Sequence, residues 1–177
     1  MSIKKVVSFS GGRTSAYLCK LMIETFGRGN VDFIYMDTGA EHSKTYEFIR
    51  KVNNEFRLNL VCLRGDFTRP LGAGVGYNVV DIDSLKPALK PFKGMLSKYG
   101  VPYIGGMFCT DRMKLKPFKK YCDHTYGKKS YETWLGIRAD EPKRLTPKPL
   151  IRYMAEISDF DKQDVLDYWA DEMPFDL

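Results

Sequence analysis

The sequence predicts an α/β fold: an open, twisted parallel sheet of about five strands with helices on both faces. Two observations carry that expectation. Apolar runs of strand length alternate with helical periodicity from Val6 to Leu63, and the order strand, helix, strand, helix, strand favours parallel pairing through right-handed crossovers. The 177 residues, 44% of them apolar, suffice for one ordinary core, so residues 1–177 are expected to form a single domain.

Val6 to Phe9 reads as the first strand. Thr14 to Thr25 follows as a helix, with Tyr17, Leu18, Leu21 and Met22 on one face and Gly27 and Gly29 closing it. Val31 to Met36 is a second strand, broken by Asp37-Thr38-Gly39. Ser43 to Phe56 is a second helix with Thr45, Ile49, Val52 and Phe56 in register, and Leu58 to Leu63 is a third strand. Residues 64–83 include Gly72, Gly74 and Gly76 and read as a loop, over the site or merely on the surface. Ser84 to Tyr99 has helical character, opposed early on by Pro87 and Pro91. Asp111 to Cys122 reads as a helix with a kink or boundary at Pro117, and Tyr131 to Ile137 as a late strand. After a charged, proline-punctuated loop over 138–149, Ser158-Asp159-Phe160-Asp161 has the look of a capping box. It opens a last helix that turns Val165, Leu166 and Trp169 to the core.

Composition narrows the function classes. The chain carries 28 basic and 22 acidic residues, a net charge of +6, which suits a protein that handles polyanionic nucleotides. The densest basic run, Arg112 to Lys129, reads either as a solvated helix face or as a grip for nucleic acid, the less favoured partner. The cysteines Cys19, Cys62, Cys109 and Cys122 show no paired spacing, so neither a disulfide framework nor a zinc site is expected. A reducing cytoplasm is the expected location. No apolar stretch approaches the ~20 residues that span a bilayer, and the N-terminus lacks the apolar run of a secretory leader.

Three clusters at strand ends carry chemistry. In Ser8-Phe9-Ser10-Gly11-Gly12-Arg13-Thr14-Ser15, glycines permit a sharp turn and close backbone approach. The helix that follows offers unpaired N–H groups and its positive dipole end. Hydroxyls of Ser8, Ser10, Thr14 and Ser15 add donors, and Arg13 adds a fork suited to phosphate. Neither the Gly-Lys-Ser/Thr phosphate loop nor the Gly-x-Gly-x-x-Gly dinucleotide turn is present here. At the second cluster, Asp37-Thr38-Gly39-Ala40-Glu41, Asp37 is placed either to hold Mg²⁺ or to cap the turn. The third runs from Gly136 to Arg144, where Arg138 and Arg144 can converge on an anion with Glu141 holding one of them, unless the loop is merely exposed and salt-bridged.

Together these stretches resemble a known family. Ser10 to Ser15 is similar to the pyrophosphate loop (PP-loop) of the adenine nucleotide alpha hydrolase superfamily. Asp37-Thr38-Gly39, Cys109-Thr110-x-Arg112-x-Lys114, Gly136-x-Arg138-x-x-Glu141-x-x-Arg144 and Pro149-Leu150 resemble its phosphoadenosine phosphosulfate reductase branch, over about residues 4–170. The resemblance implies a Rossmann-like sheet and, as function, ATP binding with cleavage between the α and β phosphates to adenylate an acceptor. It implies that Ser10, Gly11, Gly12, Arg13, Thr14 and Ser15 hold phosphates and that Phe9, Tyr35 and Met36 lie near the adenosine. Asp37 and Thr38 would border the phosphates, and Lys114, Arg138 and Arg144 would meet the anionic far end. Arg13, Asp37 and Lys114 are then the candidate catalytic groups, with Mg²⁺ at Asp37.

Three other functions stay open on the same resemblance. One is a sulfonucleotide-binding or reductase-like enzyme using Cys109, in sulfur metabolism. The second is a nucleotide-sensing module without catalysis. The third is nucleic-acid modification. Family members that work in complexes leave room for a partner protein or a homo-oligomer. Two departures count. Arg13-Thr14 stands where the family usually has Lys-Asp, which puts metal-dependent cleavage in doubt. No cysteine follows Cys122, which argues against the reductase mechanism that uses a tail cysteine. The scattered cysteines give no reason to expect an iron–sulfur cluster.

Overall fold

The computed structural model of the chain describes residues 3–101 and 108–177. Its centre is a six-stranded sheet in the order β4-β3-β2-β1-β5-β6. The strands are β1 (Lys4–Phe9), β2 (Val31–Asp37), β3 (Val61–Asp66), β4 (Gly76–Val80), β5 (Tyr131–Leu135) and β6 (Ile151–Tyr153). All neighbours pair in parallel except β3 and β4. The α/β expectation holds, with six strands rather than about five. The strands not read from the sequence are the short edge β6 and β4, an antiparallel edge inside the stretch read as loop over 64–83. Its Gly-Tyr-Asn-Val-Val sequence lacks the apolar run of a central strand, because only part of it is covered.

The chain leaves β1 towards β2 and β3, then returns to the other side of β1 to lay down β5 and β6. Strand order therefore reverses at β1, and the crevice beyond the carboxyl ends of β1 and β5 is where such sheets receive ligands. Helix α1 (Arg13–Phe26) and helix α2 (Ser43–Phe56) cover one face. There Val7, Phe9, Phe33, Tyr35, Cys62 and Trp134 of the sheet meet Leu18, Met22, Ile49 and Trp169. The opposite face, with Val6, Ile34, Met36 and Leu63, packs on Phe118 and Cys122.

Helix α3 (Lys90–Tyr99) begins later than the sequence suggests, with Pro91 in its first turn, where a missing N–H costs nothing. A short helical turn, α4 (Phe108–Thr110), runs through the π-helical turn Asp111–Leu115 into α5 (Lys116–Tyr126). The widened turn comes just before Pro117, whose ring and missing N–H do not fit a regular helical turn. Helix α6 (Lys162–Asp167) starts at Asp161, which receives Gln163 and Asp164 N–H groups while Asp164 receives that of Asp161. The capping box thus sits at Asp161 and Asp164 and not at Ser158, which receives the Phe160 N–H. No helix among the described residues is long and apolar enough to cross a membrane.

Candidate functional site

The turn from β1 into α1 is held open by its own side chains. Ser15 Oγ accepts the Ser10 N–H at 3.2 Å, lies 2.8 Å from Ser10 Oγ and donates to the Gly12 carbonyl at 3.0 Å. Ser15 is thereby buried, its hydroxyl spent as the clasp of the turn. Gly11 has φ +83°, and a Cβ there would stand 3.0 Å from Ile49 Cδ1, so glycine is required twice over. Gly136 serves close approach as well: its Cβ would lie 2.9 Å from Ser15 Cα, so β5 ends directly against the first turn of α1. The first N–H groups of α1, a helix that starts at this junction, have no intrahelical partner.

A cavity of about 340 Å³ opens over the turn, lined by Ser10, Gly12, Arg13, Thr14, Gly136 and Arg138 among others. Arg138 donates to Thr14 Oγ1 at 3.2 Å and to Asp140 at 2.8 Å, and Glu141 accepts the Arg138 N–H at 3.2 Å. Glu141 also pairs with Arg144, so one carboxylate steadies both arginines. The sequence-predicted set Ser10, Gly12, Arg13, Thr14, Ser15, Gly136, Arg138, Glu141 and Arg144 is thus brought together at one place. Two further contributors were not foreseen. Lys162, at the start of α6, lines the same cavity, and the segment after α6 closes its side through Asp176 and Leu177. Only three-dimensional closure brings these to the turn, so no local pattern announces them.

Other expected members lie elsewhere. Phe9 and Tyr35 face α1 and α2, each about 1% exposed, and cannot meet an adenosine with their side chains. Met36 and Ser8, one step out of phase along their strands, face the opposite side of the sheet. There they line a mainly apolar cavity of about 500 Å³ with Leu115, Phe118, Leu135 and Ile151. Lys114 stands at this second cavity, 3.5 Å from Glu41, and does not join Arg138 and Arg144.

Asp37 is fully buried, and its donors are all protein groups. Oδ1 accepts the Gly39 N–H at 2.8 Å and the Tyr46 hydroxyl at 2.9 Å. Oδ2 accepts Arg64 Nε at 2.9 Å and Nη2 at 2.5 Å. Thr38 accepts the Ala40 N–H at 3.2 Å. A carboxylate so occupied does not fit a metal ion, and no cluster of three metal-ligating side chains occurs among the described residues. Of the two sequence readings of Asp37, the turn cap describes its geometry. Cys109 lies in α4, half-buried, and lines neither cavity. The sheet separates Cys19 and Cys62 on one face from Cys122 on the other.

Residues 4–68, which run from β1 to just past β3, match the family model of the phosphoadenosine phosphosulfate reductase domain. The chain is 55% identical over 176 residues to an uncharacterised nin region protein of Escherichia phage lambda, covering 97% of this chain and 60% of that protein. It is 26% identical over 153 residues to an uncharacterised protein of Methanocaldococcus jannaschii, covering 85% of this chain and 26% of that protein. The chain therefore spans 60% or less of the length of these relatives.

Proposed function

We propose, from the premise that residues 4–68 carry the phosphoadenosine phosphosulfate reductase domain, that this chain binds an adenine nucleotide through the turn after β1 and cleaves ATP between its α and β phosphates. The observation that carries the reading is the junction of Ser10–Ser15 with Gly136–Arg144. Open helix N–H groups, Arg13, Arg138, Arg144 and Lys162 ring one small cavity at the point where strand order reverses. The apolar cavity beside Ser8 and Met36, on the far side of the strand ends, has the size and lining for a nucleoside.

In the reaction, an acceptor oxygen attacks the α-phosphorus, the bond to the α–β bridging oxygen breaks, and pyrophosphate leaves with its electron pair. The chain's share is positioning and charge. Helix N–H groups and Arg13 hold the phosphate oxygens, and Arg138, fixed by Asp140 and Thr14, faces the charge that develops on the leaving group. No step is assigned to Asp37.

A second reading, binding without cleavage, is favoured by Thr14. Its hydroxyl is taken by Arg138, and it stands where the family usually has an aspartate. Incubation with ATP, adenosine phosphosulfate and its 3′-phosphorylated form, assayed for AMP, pyrophosphate and sulfite, separates the possibilities. AMP with pyrophosphate supports cleavage. Tight ATP binding with no product supports the sensor, and sulfite lost in Cys109→Ser supports a reductase. Failure to bind any of the three overturns the nucleotide reading.

A further inference from the structure

Beyond β2 the carboxyl edge of the sheet opens on a third cavity, of about 800 Å³. Its walls are the end of β3, Asn78 of β4, the connection through Ser84 and Lys86, and the exposed side of α3. The Asp37–Glu41 turn divides it from the nucleotide site. Gly39 carbonyl accepts the Ala88 and Leu89 N–H groups at 3.0 and 3.1 Å on one side, and Glu41 meets Lys114 on the other. The cavity is larger than either of the two described above, and nothing in the proposed nucleotide site uses it.

Its chemistry is one-sided. Five cationic side chains line it, Arg64, Arg69, Lys86, Lys90 and Lys98, against the single carboxylate of Asp66. Asp66 is spent locally: it accepts the Thr68 N–H at 3.0 Å and hydroxyl at 2.7 Å, which hold it below the usual carboxylate range. Arg64 is committed to Asp37, and Lys98 donates to the Gly74 carbonyl. Lys86 and Lys90 have no ion pair among the described residues. Cations gathered round a concave wall repel one another unless an anion is present, and the concavity focuses their field on a ligand.

The cavity also has an aromatic wall. A Cβ on Gly65 would stand 2.8 Å from Phe67 Cζ, and one on Gly94 would stand 3.6 Å from Phe67 Cδ2. Two glycines therefore let the Phe67 ring lie against the backbone of β3 and α3, and Phe67 lines the cavity together with the lysines.

We propose that this cleft binds a second ligand: a small phosphate ester carrying a planar ring, whose phosphate meets Lys86 and Lys90 and whose ring lies on Phe67. This ligand site stands independently of the nucleotide site across the turn. The volume suits one nucleotide-sized molecule rather than a chain.

Uridine 5′-monophosphate is the probe, because it has both parts and lacks adenine. It is titrated into ¹⁵N-labelled Gly12→Asp protein, whose phosphate turn is blocked, with backbone amide shifts as readout. Saturating shifts at Gly65, Asn78, Gly94 and Ser97, weakened at least tenfold by Lys86→Ala with Lys90→Ala, are expected. Phe67→Ala should weaken the uridine compound more than inorganic phosphate. Shifts absent from these four residues, or insensitive to loss of both lysines, overturn the proposal. So does an oligothymidylate that binds a hundredfold more tightly than the mononucleotide, since the groove would then grip a strand. ATP shifts at Ser10 to Ser15 in the unsubstituted protein test the nucleotide site separately, so either site can fail alone.

Discussion

The Asp176 carboxylate sits in the fork of the Arg13 guanidinium, Nε to Oδ1 at 2.6 Å and Nη2 to Oδ2 at 2.7 Å, across 163 residues of chain. An oxyanion thus already occupies the donors that the sequence offers to a phosphate. The segment that carries it is anchored by Phe175, packed 5.9 Å from Trp169 between ring centroids, and Trp169 Nε1 donates to the Arg13 carbonyl at 3.1 Å. A nucleotide phosphate that uses Arg13 has to displace Asp176. The Asp176→Ala variant should therefore bind ATP more tightly. An exposed pair is worth up to about 1 kcal/mol, which sets the gain at no more than about fivefold. Isothermal titration checks it, with Arg13→Ala expected to lose affinity whether or not Asp176 is present. Equal ATP affinity with and without the Asp176 side chain would show that Arg13 does not touch phosphate.

The same contact gives the segment a pH dependence. Hydrogen bonding from Arg13 holds the Asp176 carboxyl below the usual carboxylate range, against a smaller opposing effect of burial. A depressed carboxyl contributes stability that is fully present above its unfolded value of about 3.9 and is lost as pH falls through the folded value. The contact therefore holds through neutral and mildly acidic pH and releases only in stronger acid. A ¹³C titration of the Asp176 carboxyl should show a midpoint below that of an ordinary aspartate, moving up in Arg13→Ala. The same midpoint in both proteins would remove the fork from the account.

Two adjacent glycines separate folding from binding. In the sequence Gly11 and Gly12 read alike, as residues of one sharp turn that approaches phosphate. The geometry assigns them different jobs. Valine at 11 would have to adopt φ near +83° and press on Ile49, so loss of stability is expected along with loss of binding. Gly12 has φ −104°, and its Cβ would meet only Ser10 Oγ, at 3.8 Å. It caps α1 with no side chain of its own, so Gly12→Asp should add a cap worth about a few tenths of a kcal/mol while aiming a carboxylate at the phosphate position. ATP affinity should fall at least tenfold with the melting temperature unchanged or raised. Retained affinity in a folded Gly12→Asp protein would place the phosphates elsewhere.

This contrast marks how far the sequence reaches. The turn at 10–15 is legible because its parts are contiguous, and Gly136 to Arg144 because its arginines and Glu141 lie within one loop. Phe9, Tyr35 and Met36 were grouped together because a strand buried on both faces shows no alternation, so nothing in the sequence says which way each residue points. The pairing of Phe9 with Tyr35 in register decides it: both lie on the α1 side, and Met36 on the other. Asp176, Lys162 and Arg64 were missed for another reason. Each reaches its place through the closure of distant segments, and an isolated charged residue carries no trace of its partner.

The thiols should differ sharply in reactivity. Burial pushes Cys62 and Cys122 up to about 12, and pushes Cys19 up further while its Sγ donates to the Ser15 carbonyl. These three are fully enclosed, and Cys109 is only half-buried. The thiolate is the reactive form, so iodoacetamide at pH 8 should alkylate Cys109 first in the folded protein and all four cysteines in denaturant. Peptide mass spectrometry reads the order. Early labelling of Cys62 or Cys122 would mean that the sheet opens more readily than its packing implies.

The buried pair of Asp37 and Arg64 decides between two jobs for one aspartate. If Asp37 served a metal, Asp37→Asn would fold normally and lose only turnover. Its contacts require a different outcome. The change keeps the shape and an Oδ1 that can still accept from the Tyr46 hydroxyl and the Gly39 N–H, but it removes the charge that holds Arg64, whose side chain is 28% exposed, and turns the Oδ2 acceptor into an NH2 facing the Arg64 donors. Removing one partner of a largely buried pair leaves the other charge short of compensation, a loss of about 2–4 kcal/mol here once partial solvation of Arg64 is allowed for. For a chain of this length that lowers the melting temperature by about 5–15 °C. Arg64→Met should fall by at least as much, because the charge left behind at Asp37 is fully buried and keeps only the Gly39 and Tyr46 donors. Calorimetry on the pair of variants reads the difference. An Asp37→Asn protein as stable as the original, with turnover lost, would return Asp37 to the chemistry and make Arg64 its positioning partner.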